Sequence, residues 1–194
     1  MSEKQRRYWD ANVFLGWLKE EKDKVEACRD VLVSAQSGEV TIVTSAITLT
    51  EVVYVRNRPD ESRLPVDQER KLVAFFENEF IELWNAERKI CEYAREIVWE
   101  YDVKPKDCIH AATALMSEVA NLDTYDPDLL DLDGCLEGPD GSTLSISPPE
   151  MLGRTRKFHF PEDRSQAEAE GDKYPRAESG TPQRGSGGTE SEET

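Results

Sequence analysis

In VTIVTSAITLTEVVYVRNR, residues 40–58, a β-branched run gives way within a few positions to helical spacing. The run 40–44 suits a strand buried on both faces of a parallel sheet. Ser45 can cap a helix over 46–58, which would carry Glu51 near the end of its second turn. A strand feeding directly into a helix is the repeating unit of an α/β fold.

Upstream, RYWD (7–10) is too short for a helix and rich in aromatics, so it reads as a strand ending at Asp10. NVFLGWLK (12–19) follows as a short helix with Asn12 as a cap and Val13, Phe14 and Trp17 at core spacing. A second helix over 21–37 repeats Val25, Cys28, Leu32 and Ala35 until Ser37 and Gly38 stop it. Downstream, 57–65 is a polar loop and 66–78 returns to helical spacing through Leu72, Val73, Phe75 and Phe76. FIELW (80–84) is the next strand, and 86–101 has Ile90, Tyr93, Ala94, Ile97 and Val98 on one helix face.

KPKDCIHAATALM (104–116) is a further helix. Pro105 and Asp107 fall in its first turn, where a missing N–H costs nothing and a negative charge faces the positive end of the dipole. Ile109, Ala112, Thr113 and Met116 are the expected buried stripe, and the small Ala111 and Ala114 would leave a ligand room to approach. A short strand at 121–124, the acidic turn YDPDLLDLDG and an edge strand at 144–147 complete the order. Strands alternating with helices predict a mainly parallel sheet of four or five strands around one core, flanked by helices as an α/β/α sandwich. RTRKFHF (154–160) reads as a docking strand or an arm. Residues 161–194 have hardly an apolar side chain with which to offset ordering entropy, and are expected to be disordered.

The 194 residues carry a formal charge of −16, which argues against broad attraction to nucleic acid. Local clusters remain that can guide a phosphate backbone: Arg6 with Arg7, Arg56 with Arg58, Lys104 with Lys106, and Arg154 with Arg156 and Lys157. Most of the acidic surplus reads as solvated surface. Cys28, Cys91, Cys108 and Cys135 are scattered and form no CxxC pair, so neither a zinc site nor a disulfide framework is indicated. They read as buried or half-buried thiols of a reducing cytosol. No apolar run approaches the ~20 residues that span a bilayer, so a soluble cytoplasmic protein without membrane contact is expected.

The carboxyl ends of strands in an open α/β sheet face one crevice, where ligands bind. Asp10 ends the first strand, Glu51 rides the helix after the second, Asp107 starts a helix and Asp126 follows the late strand. Each has an ordinary structural reading as a turn former, cap or solvated acid. Together they imply a cation, because two carboxylates ~4 Å apart repel by about 4 kcal/mol at an effective dielectric near 20. Carboxylate oxygens and water favour Mg2+ or Mn2+ over zinc. A receiver domain also gathers acids around Mg2+, but the region after Asn121 offers no lysine for that role.

YWDANVFL (8–15), TSAITLTEV (44–52), KPKDCIHAATAL (104–115) and LDTYDPDLLDLDG (122–134), in that order and spacing, resemble the PIN-domain ribonucleases, and among them the VapC-type toxins of toxin–antitoxin pairs. The resemblance covers about residues 7–149. It implies a PIN-like nuclease domain over 1–149, an arm over 150–160 and a tail over 161–194 outside the family pattern. Asp10, Glu51, Asp107 and Asp126 match the family's metal-binding, catalytic acids, and Asn12, Thr48 and Thr124 its polar supporting positions. Asp123 departs from the pattern; it is expected as a surface acid, with a role as an extra ligand left open. The resemblance implies hydrolysis of RNA with Mg2+ or Mn2+, a VapB-like antitoxin and a homodimer. Val52, Val53, Tyr54 and Val55 are apolar enough to offer a second contact face or to be core. His110, one turn beyond Asp107, reads as a packed helix histidine before a proton carrier, and His159 has no evident partner. A PIN fold that only binds, or one that processes RNA without a toxin role, stands beside the toxin reading.

Overall fold

The structure is a computed structural model that describes residues 4–53 and 66–153. Five strands form one sheet in the order β3-β2-β1-β4-β5. They are β1 (Gln5–Trp9), β2 (Val40–Ser45), β3 (Ile81–Trp84), β4 (Asn121–Asp123) and β5 (Ser145–Ser147). Every pairing is parallel, with Tyr8 opposite Val43 on one side of β1 and Leu122 on the other. The expected α/β sandwich and its parallel sheet are therefore present.

A parallel sheet needs cover on both faces, so the single core expected from composition is divided into two apolar layers. On one face lie α1 (Ala11–Leu18), α2 (Val25–Gln36) and α4 (Val66–Phe76). Trp9, Phe14, Trp17, Phe75 and Phe80 fill that layer. On the other face lie α5 (Arg88–Tyr101) and α6 (Pro105–Met116), whose Ile90, Ala94, Ile97, Ala111 and Leu115 meet Tyr8, Val43 and Leu122. The chain builds outward from β1 to β2 and β3, then returns to place β4 on the opposite side of β1. Strand order thus reverses between β1 and β4, and the crevice at their carboxyl ends is where an open sheet binds ligands.

Three local expectations change. The helix expected over 46–58 is α3 (Thr48–Glu51), a single turn that leaves helical geometry at Val52. Ile47, Thr48, Thr50, Val52 and Val53 are β-branched and lose side-chain freedom in a helix, and Ser45 belongs to β2 instead of capping it. Asp10, not Asn12, caps α1, its carboxylate accepting the Val13 N–H. In α6 the buried positions are Cys108 and His110 through Leu115, whereas Ile109 and Met116 are only partly covered. Ala111 and Ala114 have no exposed surface and pack in the core, so they leave no space for a ligand. Small side chains let α6 fit between α5 and the sheet.

Cys28 and Cys108 are buried, whereas Cys91 and Cys135 are exposed, against the expectation of covered thiols; all four are free. Val52 is core at 1% exposure and Val53 is exposed at 36%. Tyr54, Val55, the loop 57–65, Arg56, Arg58, His159, the stretch 154–160 and the tail 161–194 lie outside the described residues. Among the described residues no helix is long and apolar enough to cross a membrane.

Candidate active site

Asp10 stands where β1 turns into α1, with 2% of its surface exposed. Its Oδ1 accepts the Val13 N–H at 3.0 Å, and its Oδ2 accepts the Thr124 hydroxyl at 2.5 Å. Burial pushes this carboxyl up to about 6, the nearby Asp126 adds to the rise, and the bonds from Thr124 and Val13 oppose it. A buried group held in its less favoured charge state is a mark of a functional site.

Thr124, directly after β4, links two of the acids. Its hydroxyl donates to Asp10 and accepts the Asp126 N–H at 2.9 Å. Asp126 caps α7 (Pro127–Leu130), with Oδ1 accepting the Asp128 N–H at 2.9 Å. The Asn12 side chain donates to Asp126 Oδ2 at 3.3 Å, so α1 and α7 are tied across the crevice. Thr48 acts at greater distance. It shares a 2.8 Å hydrogen bond with Thr44, whose hydroxyl donates to the Trp9 carbonyl at 2.7 Å. That fixes α3 against the end of β1.

Asp107 enters from α6, third after the Lys104 cap. Single ligand atoms of Asp107, Asp126 and Asp128 lie within 4.8 Å of one another. Burial raises the Asp107 carboxyl, and Asp126 is the next cause. Three converging carboxylates fit a hard divalent cation: each offers oxygen, no thiolate or imidazole joins them, and their mutual repulsion is relieved by positive charge. Asp128 was not singled out from the sequence. Its signal was the pattern Asp-Pro-Asp, in which a capping acid and a first-turn Pro leave the second acid at the mouth of a helix.

Glu51 sits differently from the other three expected acids. Its Oε1 lies 2.6 Å from Lys106 Nζ and its Oε2 lies 2.7 Å from His110 Nε2. Burial would raise this carboxyl, but the hydrogen bonds from His110 and Lys106 outweigh it and hold it down at about 2. Lys106 and His110, both on α6 with Asp107, hold Glu51 against that helix. His110 is 2% exposed, as a packed histidine should be, yet it also joins two functional elements. Its Nδ1 lies 2.8 Å from the Tyr8 hydroxyl, which in turn accepts the Ser45 N–H at 3.0 Å. A chain of contacts therefore runs from β1 and β2 through α6 to Glu51.

Asp123 overturns its reading as a surface acid: it has no exposed surface. Arg7 grips it with two bonds, Nε to Oδ2 at 2.8 Å and Nη2 to Oδ1 at 2.5 Å, and Trp9 Nε1 donates to Oδ2 at 2.9 Å. Burial pushes its carboxyl up against the pull of Arg7 and Trp9. Its charge is already balanced by a buried guanidinium, so it serves the scaffold. The same contact removes Arg7, 4% exposed, from the residues that might guide a phosphate. Arg6 is also committed, donating to the Ser117 carbonyl and to Glu82. The signal for this pair was present, since an arginine inside a buried strand needs an acid beside it, but the partner depends on register.

Residues 7–134 match the PIN domain family. No curated protein matches the chain by sequence. Among solved structures, a toxin–antitoxin complex from Klebsiella pneumoniae aligns at 16% identity and a TM-score of 0.48, covering 75% of this chain and 99% of that one. VapBC2 from Rickettsia felis, bound to a DNA fragment from its promoter, aligns at 18% identity and a TM-score of 0.50, covering 73% and 98%. At that identity the likeness is one of fold.

Proposed function

The chain belongs to the PIN domain family, and from that premise we propose that it is a divalent-cation-dependent endoribonuclease acting as the toxin of a toxin–antitoxin pair. The observation that carries the proposal is the convergence of Asp107, Asp126 and Asp128 within 4.8 Å, at the point where strand order reverses. Asp10 supports it from beneath, joined to Asp126 through the Thr124 hydroxyl. Asp10, Asp107 and Asp126, with Asp128, would hold Mg2+ or Mn2+. When bound, such an ion would lower the pKa of a water and neutralise charge on the scissile phosphate. Asn12 and Thr124 keep the acids aimed into the crevice, and Glu51, clamped by Lys106 and His110, keeps a fixed negative charge beside Asp107. Attack by water in line with the leaving oxygen gives 3′-hydroxyl and 5′-phosphate ends, and no side-chain nucleophile is required.

The toxin role rests on the motif resemblance together with a structural neighbour that is itself a VapBC complex. An antitoxin of the VapB kind and a homodimer are proposed with it. Leu49, Val53 and Leu83, partly exposed apolar residues on and near α3 and β3, support a contact face at that end of the sheet.

The test is cleavage of a mixed RNA preparation by the full chain. Mg2+ or Mn2+ should support cleavage, EDTA should stop it, and Asp10→Asn or Asp107→Asn should lower the rate by at least about a hundredfold. Cleavage indifferent to EDTA and to both substitutions would sink the assignment. An inert wild type that also takes up no divalent cation would leave a PIN fold that only binds.

A further inference from the structure

Two lysines precede Asp107 at the start of α6. Lys104 Nζ lies 2.6 Å from Asp128 on α7, and Lys106 Nζ lies 2.6 Å from Glu51 on α3. The two ammonium groups thus pair with different acids, one on α7 and one on α3. Both lysine side chains are 70% exposed. An ammonium has three donors, and each carboxylate contact uses one, so further donors remain for a second anion without breaking the first contact.

These side chains answer an electrostatic problem. A chain of formal charge −16 repels a phosphate backbone, and the acids that hold a cation repel it most where hydrolysis must occur. The N-terminal arginines give no relief at that place, because Arg7 is buried on Asp123 and Arg6 is held on the carbonyl of Ser117, at the opposite end of α6, and on Glu82. Lys104 and Lys106 place positive charge at the rim of the acid cluster itself.

We propose that Lys104 and Lys106 form a phosphate-binding rim that holds single-stranded RNA across the start of α6, from the α7 side to the α3 side. Each lysine takes a phosphate flanking the one presented over Asp107. The inference deepens the nuclease reading and rests on it. It also implies opposite effects on two ligands: losing Lys104 weakens RNA binding and strengthens cation binding, because Asp128 loses a competing positive charge.

The experiment measures binding of a fluorescent, unstructured RNA oligonucleotide to the full chain by anisotropy, in Ca2+ across a salt series, beside an RNA cleavage assay in Mn2+. Lys104→Gln and Lys106→Gln should each flatten the slope of log affinity against log salt by about 0.7, with the losses adding in the double variant. The weakening should be similar for oligonucleotides of different sequence, as a backbone contact requires. Lys104→Arg should restore the slope. Lys89→Gln, an equal charge change on the exposed side of α5, should leave slope and cleavage unchanged. Electron paramagnetic resonance of free Mn2+ should show tighter uptake by Lys104→Gln than by wild type. A double variant with the wild-type salt slope, or an equal loss in Lys89→Gln, overturns the rim while a cleaving wild type keeps the nuclease reading. A wild type that neither binds nor cleaves RNA overturns both.

Discussion

Asp123 and Asp10 are two buried carboxylates with opposite solutions to the same problem. Asp123 is compensated by a bidentate arginine and an indole N–H. Asp10 receives only a hydroxyl and one backbone N–H, and its carboxyl is held near 6. Removing one partner of a buried ion pair strands the other, so Asp123→Ala should lower the unfolding free energy in urea by about 3–5 kcal/mol. The joint variant Arg7→Met with Asp123→Leu should recover most of that loss; no recovery would mean the pair does more than neutralise itself. Asp10 has the reverse sign. A folded pKa near 6, above the unfolded value, means that the folded state holds the proton more tightly. The stabilising contribution is therefore complete below about pH 4 and is lost as pH rises through 6. In EDTA at pH 7, Asp10→Asn should stabilise the fold by about 3 kcal/mol, since asparagine caps a helix as well as aspartate does. The gain should vanish near pH 4, and urea melts at the two pH values check it.

At the scale of elements, α6 supplies much of the crevice. It delivers Asp107, the His110 that fixes Glu51, and both rim lysines, from a body packed between α5 and the sheet. Ala111 and Ala114 are wholly buried there. Ala111→Leu should overpack the layer and cost about 1–3 kcal/mol in urea unfolding; an unchanged midpoint would restore the sequence reading of free space beside Asp107. The alternation of β-branched runs and helical spacing made the α/β order legible, and the strand ends then brought Asp10 and Asp126 to one edge. Local pattern went no further where tertiary contact decides the outcome. Helical periodicity in α6 was visible, but its buried side follows from α5 and the sheet, which cover more of it than one stripe. In α3 the helical spacing runs over a β-branched segment, and the propensity penalty prevails after one turn. The Arg7–Asp123 pair spans residues separated by more than a hundred positions, and only the pairing of β1 with β4 brings them together.

For the whole molecule, one reversal of strand order sets the functional edge. Helices cover both faces of the parallel sheet, so the carboxyl ends of β1 and β4 are where Asp10, Thr124 and Asp126 meet Asp107 from α6 and Asp128 from α7. The overall charge disfavours broad binding of nucleic acid, and under the proposal a local cation with two lysines would make the exception at this edge. The proposed chemistry requires that edge to take up a divalent ion. The most direct measurement is Mn2+ uptake by the full chain at pH 7, followed by electron paramagnetic resonance, in wild type and Asp107→Asn. Wild type should bind Mn2+ at least about tenfold more tightly than the variant, which retains the other surface acids. Equal uptake by the two proteins, or none by wild type, would contradict a cation site built on Asp107.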